Sequence, residues 1–140
     1  AESLSSEAQV LVVCAKNEKL FSRLQKRNLE NVKVFGFVNN AEELMGVSDL
    51  MITKPGGSSI AELLAMRILP IFITAIPGQE ENNARILAAY GIGSVPENIE
   101  QIKKLVIDLK NNPQKLQGLK ENIAAIAKPF ACQEIASVIR

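Results

Sequence analysis

Leu50-Met51-Ile52-Thr53-Lys54-Pro55-Gly56-Gly57-Ser58-Ser59-Ile60-Ala61-Glu62 decides the fold. An apolar run ends at Thr53, a proline-glycine turn follows, and an apolar helical pattern runs from Ser59 to Met66. Strand, glycine turn and helix in succession form the repeating unit of a parallel α/β sheet. Two glycines allow a tight turn and close approach of backbone to a ligand. The first N–H groups of the helix have no partner within it and point into the same space. Together these features make a seat for a phosphate or diphosphate. Glu62 falls about one helical turn later, on the side of the turn. A carboxylate there does not bind phosphate; it is suited to accept hydrogen bonds from a sugar diol. The stretch therefore reads as a nucleotide-sugar site. A strand–glycine–helix turn also serves as plain connection, and the helix dipole alone favours a glutamate in a first turn, so the neighbouring segments must support the reading.

Outward from this stretch, apolar runs alternate with amphipathic patterns. Val10–Cys14 is a continuous apolar run of the kind a buried parallel strand shows. A helix is expected over Glu18–Asn28, a strand over Val32–Phe37, a short helix over Ala41–Met45 and a strand over Asp49–Thr53. A strand over Leu69–Ile73 follows, with Pro70 near its start, where no ladder donor is needed. Then come a helix over Glu80–Tyr90 and a short last strand over Gly91–Val95. Ile99, Ile102, Leu105, Val106 and Leu109 keep the helical period. Asn112-Pro113 is an N-cap followed by proline at the first helical position. Leu116, Leu119, Ile123 and Ile126 continue that helix, Lys128-Pro129 ends it, and Gln133–Ile139 forms a terminal helix. The fold class is α/β, a doubly wound, mainly parallel, Rossmann-like sheet with helices on both faces.

Composition narrows the function. The chain has 140 residues, 47% hydrophobic and 22% charged, which suits one globular domain. A net charge of +1, a single Tyr and no Trp argue against a nucleic-acid surface. No apolar run approaches membrane-spanning length, and no signal peptide is visible. There is no histidine, hence neither the commonest general base nor the commonest metal ligand. No metal site is expected. Cys14 and Cys132 are read as two buried free thiols. Residues 101–128 carry six lysines against Asp108 and Glu121. A basic helical face can touch anionic lipid, although lysines opposite an apolar stripe are ordinary on any surface helix.

Four motifs stand in order, two of them overlapping the opening stretch. Gly36-Phe37-Val38-Asn39-Asn40-Ala41-Glu42-Glu43-Leu44-Met45 precedes Ser48-Asp49-Leu50-Met51-Ile52-Thr53-Lys54-Pro55-Gly56-Gly57. Ala61-Glu62-Leu63-Leu64-Ala65-Met66 and Pro77-Gly78-Gln79-Glu80-Glu81-Asn82-Asn83-Ala84 follow. Over nearly its whole length the chain resembles the C-terminal half of a GT-B glycosyltransferase. The resemblance is to the branch that holds bacterial diacylglycerol glucosyltransferases, plant monogalactosyldiacylglycerol synthases and the GlcNAc transferase of lipid II assembly. It implies that Phe37 and Val38 hold uracil, and that Lys54, Gly56, Gly57, Ser58 and Ser59 hold the diphosphate. Glu62 would grip the ribose hydroxyls, while Gln79, Glu80 and Asn83 read the donor sugar. Phe37 also reads as simple core at a strand end, and Asn83 as a tether between loop and helix.

The resemblance also implies what this stretch lacks. In the family the domain opens with a strand and its own glycine-rich loop, whereas Ala1-Glu2-Ser3-Leu4 resembles the end of the first helix. The chain is thus expected to be a fragment, residues 1–140 of a partial nucleotide-sugar-binding domain. The acceptor domain and the family's catalytic base would lie elsewhere. Doubly wound sheets place the first strand centrally, so a slot is expected between Val10–Cys14 and Asp49–Thr53. Open edges are costly or sticky, so closure of the sheet, filling by another segment, or dimerisation should follow. Arg67 stands where the family has glycine, so an altered turn is expected at Arg67-Ile68-Leu69.

The implied activity is transfer of a hexose from a UDP-sugar to a lipid acceptor with inversion, without metal or other cofactor. This stretch would supply donor binding and no catalytic residue, binding UDP weakly and catalysing nothing alone. The implied location is cytoplasmic, with peripheral contact to the membrane face. Two alternatives stand beside it: a half-enzyme subunit needing a separate acceptor-binding partner, and a non-catalytic nucleotide-binding module.

Overall fold

The computed structural model describes residues 1–73 and 76–139. A 3₁₀ turn (Glu2–Leu4) leads into β1 (Val10–Val13), α1 (Glu18–Lys26), β2 (Val32–Phe35), α2 (Ala41–Gly46) and β3 (Leu50–Thr53). Then follow α3 (Gly57–Ala65), β4 (Leu69–Phe72), α4 (Gln79–Ala89), α5 (Ile99–Asn111), α6 (Pro113–Ile126) and α7 (Ala131–Val138). The alternation expected from the sequence is present, with strands one or two residues shorter than their apolar runs. The short last strand over Gly91–Val95 is reduced to a bridge, Ile71 to Ser94, in which the Phe72 amide donates to the Ser94 carbonyl at 2.7 Å.

β1 pairs with β2 and β3 with β4, both parallel, with Val10 opposite Val32 and Leu50 opposite Leu69. The two pairs form separate sheets. Between β1 and β3 lies a groove of about 570 Å³. Across the molecule the strands run β2-β1, groove, β3-β4, with Ser94 beyond β4. The expected slot is therefore present. The sheet has not closed over it, and among the described residues no strand fills it.

The core lies on the β3–β4 side. Leu69, Phe72, Ala84, Leu87, Ile92, Leu109 and Ile123 form the main cluster, and every residue of β4 is buried. By contrast β1 has no buried residue, and neither does α1. A second cluster joins Leu4 to Ile71, Ile102 and Val106, which pins the N-terminal turn onto α5. Gly93 holds a positive φ of 78°, and a Cβ there would stand 2.8 Å from the Phe72 ring. Glycine is needed at this position on both counts.

Local chemistry sets the helix ends. Asn17, Asn98 and Asn112 each cap a helix by accepting from the amide three residues on, and Pro113 takes the first position of α6. At the end of α3, Arg67 adopts φ 57°. Its amide donates to the Leu64 carbonyl at 3.2 Å, and the Ile68 amide to Leu63 at 2.9 Å. These two bonds make a Schellman ending, so the altered turn expected at Arg67 is a left-handed cap carried by a residue with a Cβ. Cys14 is buried, but Cys132 is exposed, contrary to the expectation of two buried thiols. The reason is that α7 buries none of its residues.

The lysine-rich helices carry less free charge than their sequence suggests. Lys103 and Lys110 lie 3.7 and 4.0 Å from Glu7, Lys115 2.6 Å from Asp108, and Lys120 2.7 Å from Asp49. Among the described residues no helix is long and apolar enough to cross a membrane.

Candidate donor-binding site

α3 begins two residues earlier than its apolar pattern, at Gly57, with Gly56 as the cap residue. The first intrahelical bond is from the Ile60 amide to the Gly56 carbonyl at 2.9 Å. The amides of Gly57, Ser58 and Ser59 precede it, and among the described residues none accepts from them. Glycine at the cap supplies no side-chain oxygen, and Ser58 and Ser59 lie too far into the helix to cap it. Three amides and the positive end of the helix dipole are left facing outward. The amide of Gly56 itself is not among them, because it donates to the Lys54 carbonyl at 2.9 Å. The diphosphate seat expected over Gly56–Ser59 is thus narrowed to Gly57–Ser59 for backbone donors.

The glycines act by absence of bulk rather than by unusual torsion. Gly56 has φ −74° and ψ 142°, open to any residue. A Cβ on Gly56 or Gly57 would meet nothing within 4 Å. The space over the helix end is open, so a ligand can come down onto the backbone. Glu62 is exposed, one turn along the same helix, and is not turned into the interior.

A second element completes the cluster. Asn83 of α4 donates through Nδ2 to the Pro55 carbonyl at 3.0 Å. Glu80 accepts from the Ile76 amide at 2.9 Å through Oε2, and its Oε1 lies 3.8 Å from Lys54 Nζ. Lys54 is 57% exposed while Glu80 is 17% exposed, so the carboxylate is held by the fold and the ammonium lies in water. Gly78, with φ 98°, turns the chain into α4 and presents Gln79 to solvent. Lys54, Glu80 and Asn83 are therefore brought together around the loop. No hydrogen bond or ion pair among the described residues ties Phe37, Val38, Glu62 or Gln79 to them.

Phe37 and Val38 follow the end of β2. Phe37 is 64% exposed, so it is not core, while Val38 is half-buried. All the candidate residues stand beyond the carboxyl ends of their strands or on the first turns that follow, where open α/β sheets bind ligands. Neither of the two cavities described includes Gly57–Ser59. The site is an open shelf. Among the described residues no group of three His, Cys, Asp or Glu side chains could hold a metal ion.

The whole chain but its last three residues matches the glycosyltransferase family 28 C-terminal domain, over residues 1–137. The chain belongs to that family. It is 36% identical over 135 residues to a processive diacylglycerol beta-glucosyltransferase of Bacillus pumilus, covering 94% of this chain and 35% of that protein. It is 35% identical over 141 residues to the same-named protein of Staphylococcus saprophyticus, covering 96% of this chain and 36% of that one. The family 28 domain described here thus spans about 35% of the length of these relatives. Its backbone is similar to a crystal structure of Acinetobacter baumannii MurG, with a TM-score of 0.75 at 19% identity over 99% of this chain and 43% of that one. That likeness bears out the GT-B fold expected from the motifs. The tether from Asn83 to Pro55 was only one of two readings of its motif, and the internal bond of the Gly56 amide had no signal in the sequence.

Proposed function

We propose that this family 28 domain is the donor-binding part of a glycosyltransferase that moves a hexose from a UDP-sugar to a lipid acceptor with inversion. The observation that carries the reading is the outward set of Gly57, Ser58 and Ser59 amides with the Glu62 carboxylate one turn away. Amides fixed at a helix end stabilise a leaving diphosphate as its charge grows, with no reorganisation at the moment of reaction. The Ser58 and Ser59 hydroxyls add donors. Glu62 accepts from the ribose hydroxyls, and the exposed Phe37 ring gives uracil a flat apolar platform beside Val38. Gln79, Glu80 and Asn83 face the sugar, with Lys54 neutralising charge at the loop mouth. UDP-sugar is substrate rather than cofactor, and this reading gives no step to a metal. A single displacement at the anomeric carbon inverts it and needs no nucleophile from the protein. The lipid acceptor is supported by the names of the relatives; a cytoplasmic place of work, peripheral on the membrane face, is part of the same proposal.

The test is titration of the isotope-labelled domain with UDP, UMP and ADP, followed by amide chemical shifts. The expected result is movement centred on Gly57–Ser59 and Glu62, with UDP binding more tightly than UMP or ADP. Glu62→Ala should weaken UDP about tenfold, the loss of charge-assisted hydrogen bonds worth about 1.5 kcal/mol. Equal affinity for ADP and UDP, or shifts elsewhere on the surface, would defeat the reading.

A further inference from the structure

One side-chain contact joins the two loops of the candidate site, between Lys54 after β3 and Glu80 in the first turn of α4. Glu80 Oε2 accepts from the Ile76 amide at 2.9 Å, which fixes the carboxylate. Its Oε1 accepts no hydrogen bond among the described residues. Lys54 Nζ stands 3.8 Å from that oxygen, within ion-pair range but too far for a hydrogen bond. Among the described residues Lys54 has no other carboxylate partner. The two partners differ in freedom: Glu80 is half-buried and tied to the backbone, whereas Lys54 is an exposed ammonium on a flexible stem.

The loop that carries the lysine is itself pinned. The Gly56 amide donates to the Lys54 carbonyl at 2.9 Å, and Asn83 of α4 donates to the Pro55 carbonyl at 3.0 Å. These bonds hold the root of the Lys54 side chain just before Gly57, where the outward amides begin, while its ammonium stays free to swing. Magnitudes decide where it goes once an anion sits on those amides. A wet ion pair longer than a hydrogen bond contributes little. An ammonium on a phosphate oxygen makes a charge-assisted hydrogen bond, shorter and stronger, and a diphosphate carries more negative charge than one carboxylate.

We propose, resting on the donor-site reading above, that Lys54 changes partner when a diphosphate seats. It leaves Glu80 for the phosphate oxygens, and Glu80 Oε1 is uncovered to accept from a hydroxyl of the sugar. The carboxylate stays on the Ile76 amide throughout, so only the lysine moves. The sugar is then read after the diphosphate, and a free hexose meets a carboxylate already covered by its cation. When the nucleoside diphosphate leaves, Lys54 returns to Glu80. The exchange couples recognition of the two halves of the donor through one side chain.

The test is NMR titration of the labelled domain with UDP, which has the diphosphate but no sugar to touch Glu80. In the wild type the Ile76 amide and the Glu80 carboxyl carbon should shift together with Gly57–Ser59, at the same half-saturation. In Lys54→Met, Gly57–Ser59 should still shift, at about threefold to tenfold weaker affinity, and the Ile76 and Glu80 shifts should shrink at least about threefold. The same substitution should weaken UDP and the tightest-bound of UDP-glucose, UDP-galactose and UDP-N-acetylglucosamine by one common factor, because Lys54 has left Glu80 in both complexes. Ile76 and Glu80 unmoved by UDP in the wild type, or moving as far in Lys54→Met, would overturn the partner change while the Gly57–Ser59 shifts keep the donor site. A greater loss for the UDP-hexose than for UDP would also overturn it, since Lys54 would then still serve Glu80 with the sugar in place. No shift at Gly57–Ser59 in either protein would defeat the donor-site reading itself, and the partner change with it.

Discussion

At Asn83 the side-chain nitrogen is already engaged with the Pro55 carbonyl, at 3.0 Å, which leaves Oδ1 as the atom free to meet a ligand. That bond fixes the spacing between the amides at the start of α3 and the polar pair Gln79-Glu80 at the start of α4. Asn83→Asp keeps the shape but loses the donor and sets a carboxylate against a carbonyl. It should lower affinity for a UDP-sugar by about 1 kcal/mol or more while leaving UDP nearly unchanged; calorimetry with both ligands measures the difference. Lys54 and Glu80, 3.8 Å apart with the lysine in water, contribute little to stability. Arg67 makes the opposite kind of prediction. Its φ of 57° costs a residue with a Cβ about 1 kcal/mol, so Arg67→Gly should raise the unfolding free energy by about 0.5–1 kcal/mol, read from the urea midpoint. Both positions carried legible signals: a polar motif at the start of a helix, and an arginine where a helix stops. Gly56 shows the limit, because which way a single amide points depends on ψ angles that no residue type dictates.

Among elements, the helix caps were the most legible, because an Asn cap is chemistry between neighbours: Asn112-Pro113 marks the start of α6, and the cap bond to Lys115 is present. The start of α3 was less so, since glycine carries no cap signal and the apolar pattern begins only with the residues that face the core. The last strand is shorter than its composition implies. Gly91–Val95 has the composition of a strand but meets β4 only at Ser94. Pairing is cut short by the positive φ of Gly91 and Gly93. Gly93→Ala would strain the backbone and press a methyl group into Phe72, whose ring lies in the main core. It should cost about 2–4 kcal/mol of stability, seen as a lower denaturant midpoint with unchanged slope. On α7, exposure of Cys132 against burial of Cys14 should give one thiol that reacts with a disulfide reagent in the folded protein and a second that reacts only on unfolding.

For the whole molecule, the uneven core sets the order of opening. The β3–β4 half carries the main cluster, while β1, α1 and β2 bury no residue. The groove leaves β1 and β3 without a strand ladder between them. Native-state hydrogen exchange should therefore show β1 and β2 amides opening at a lower free energy than those of β3 and β4. Equal protection across both pairs would mean that the cluster of Leu4, Ile71, Ile102 and Val106, against which Val10 of β1 and Leu50 of β3 both pack, couples them.

Residue order alone determined the parallel α/β class and the sequence of elements, which follow from local periodicity and turn chemistry acting between residues near in the chain. The motifs carried the resemblance to GT-B glycosyltransferases, and the expectation of a central slot came with that resemblance. Tertiary structure decided that the slot stays open, that Phe37 is exposed and Cys132 unburied, and that four lysines of the basic helices have carboxylate partners. It also decided which three amides of the glycine loop face outward. Each of these depends on what lies beside a residue in space, often from elements tens of positions away. A pattern of neighbours along the chain does not specify that.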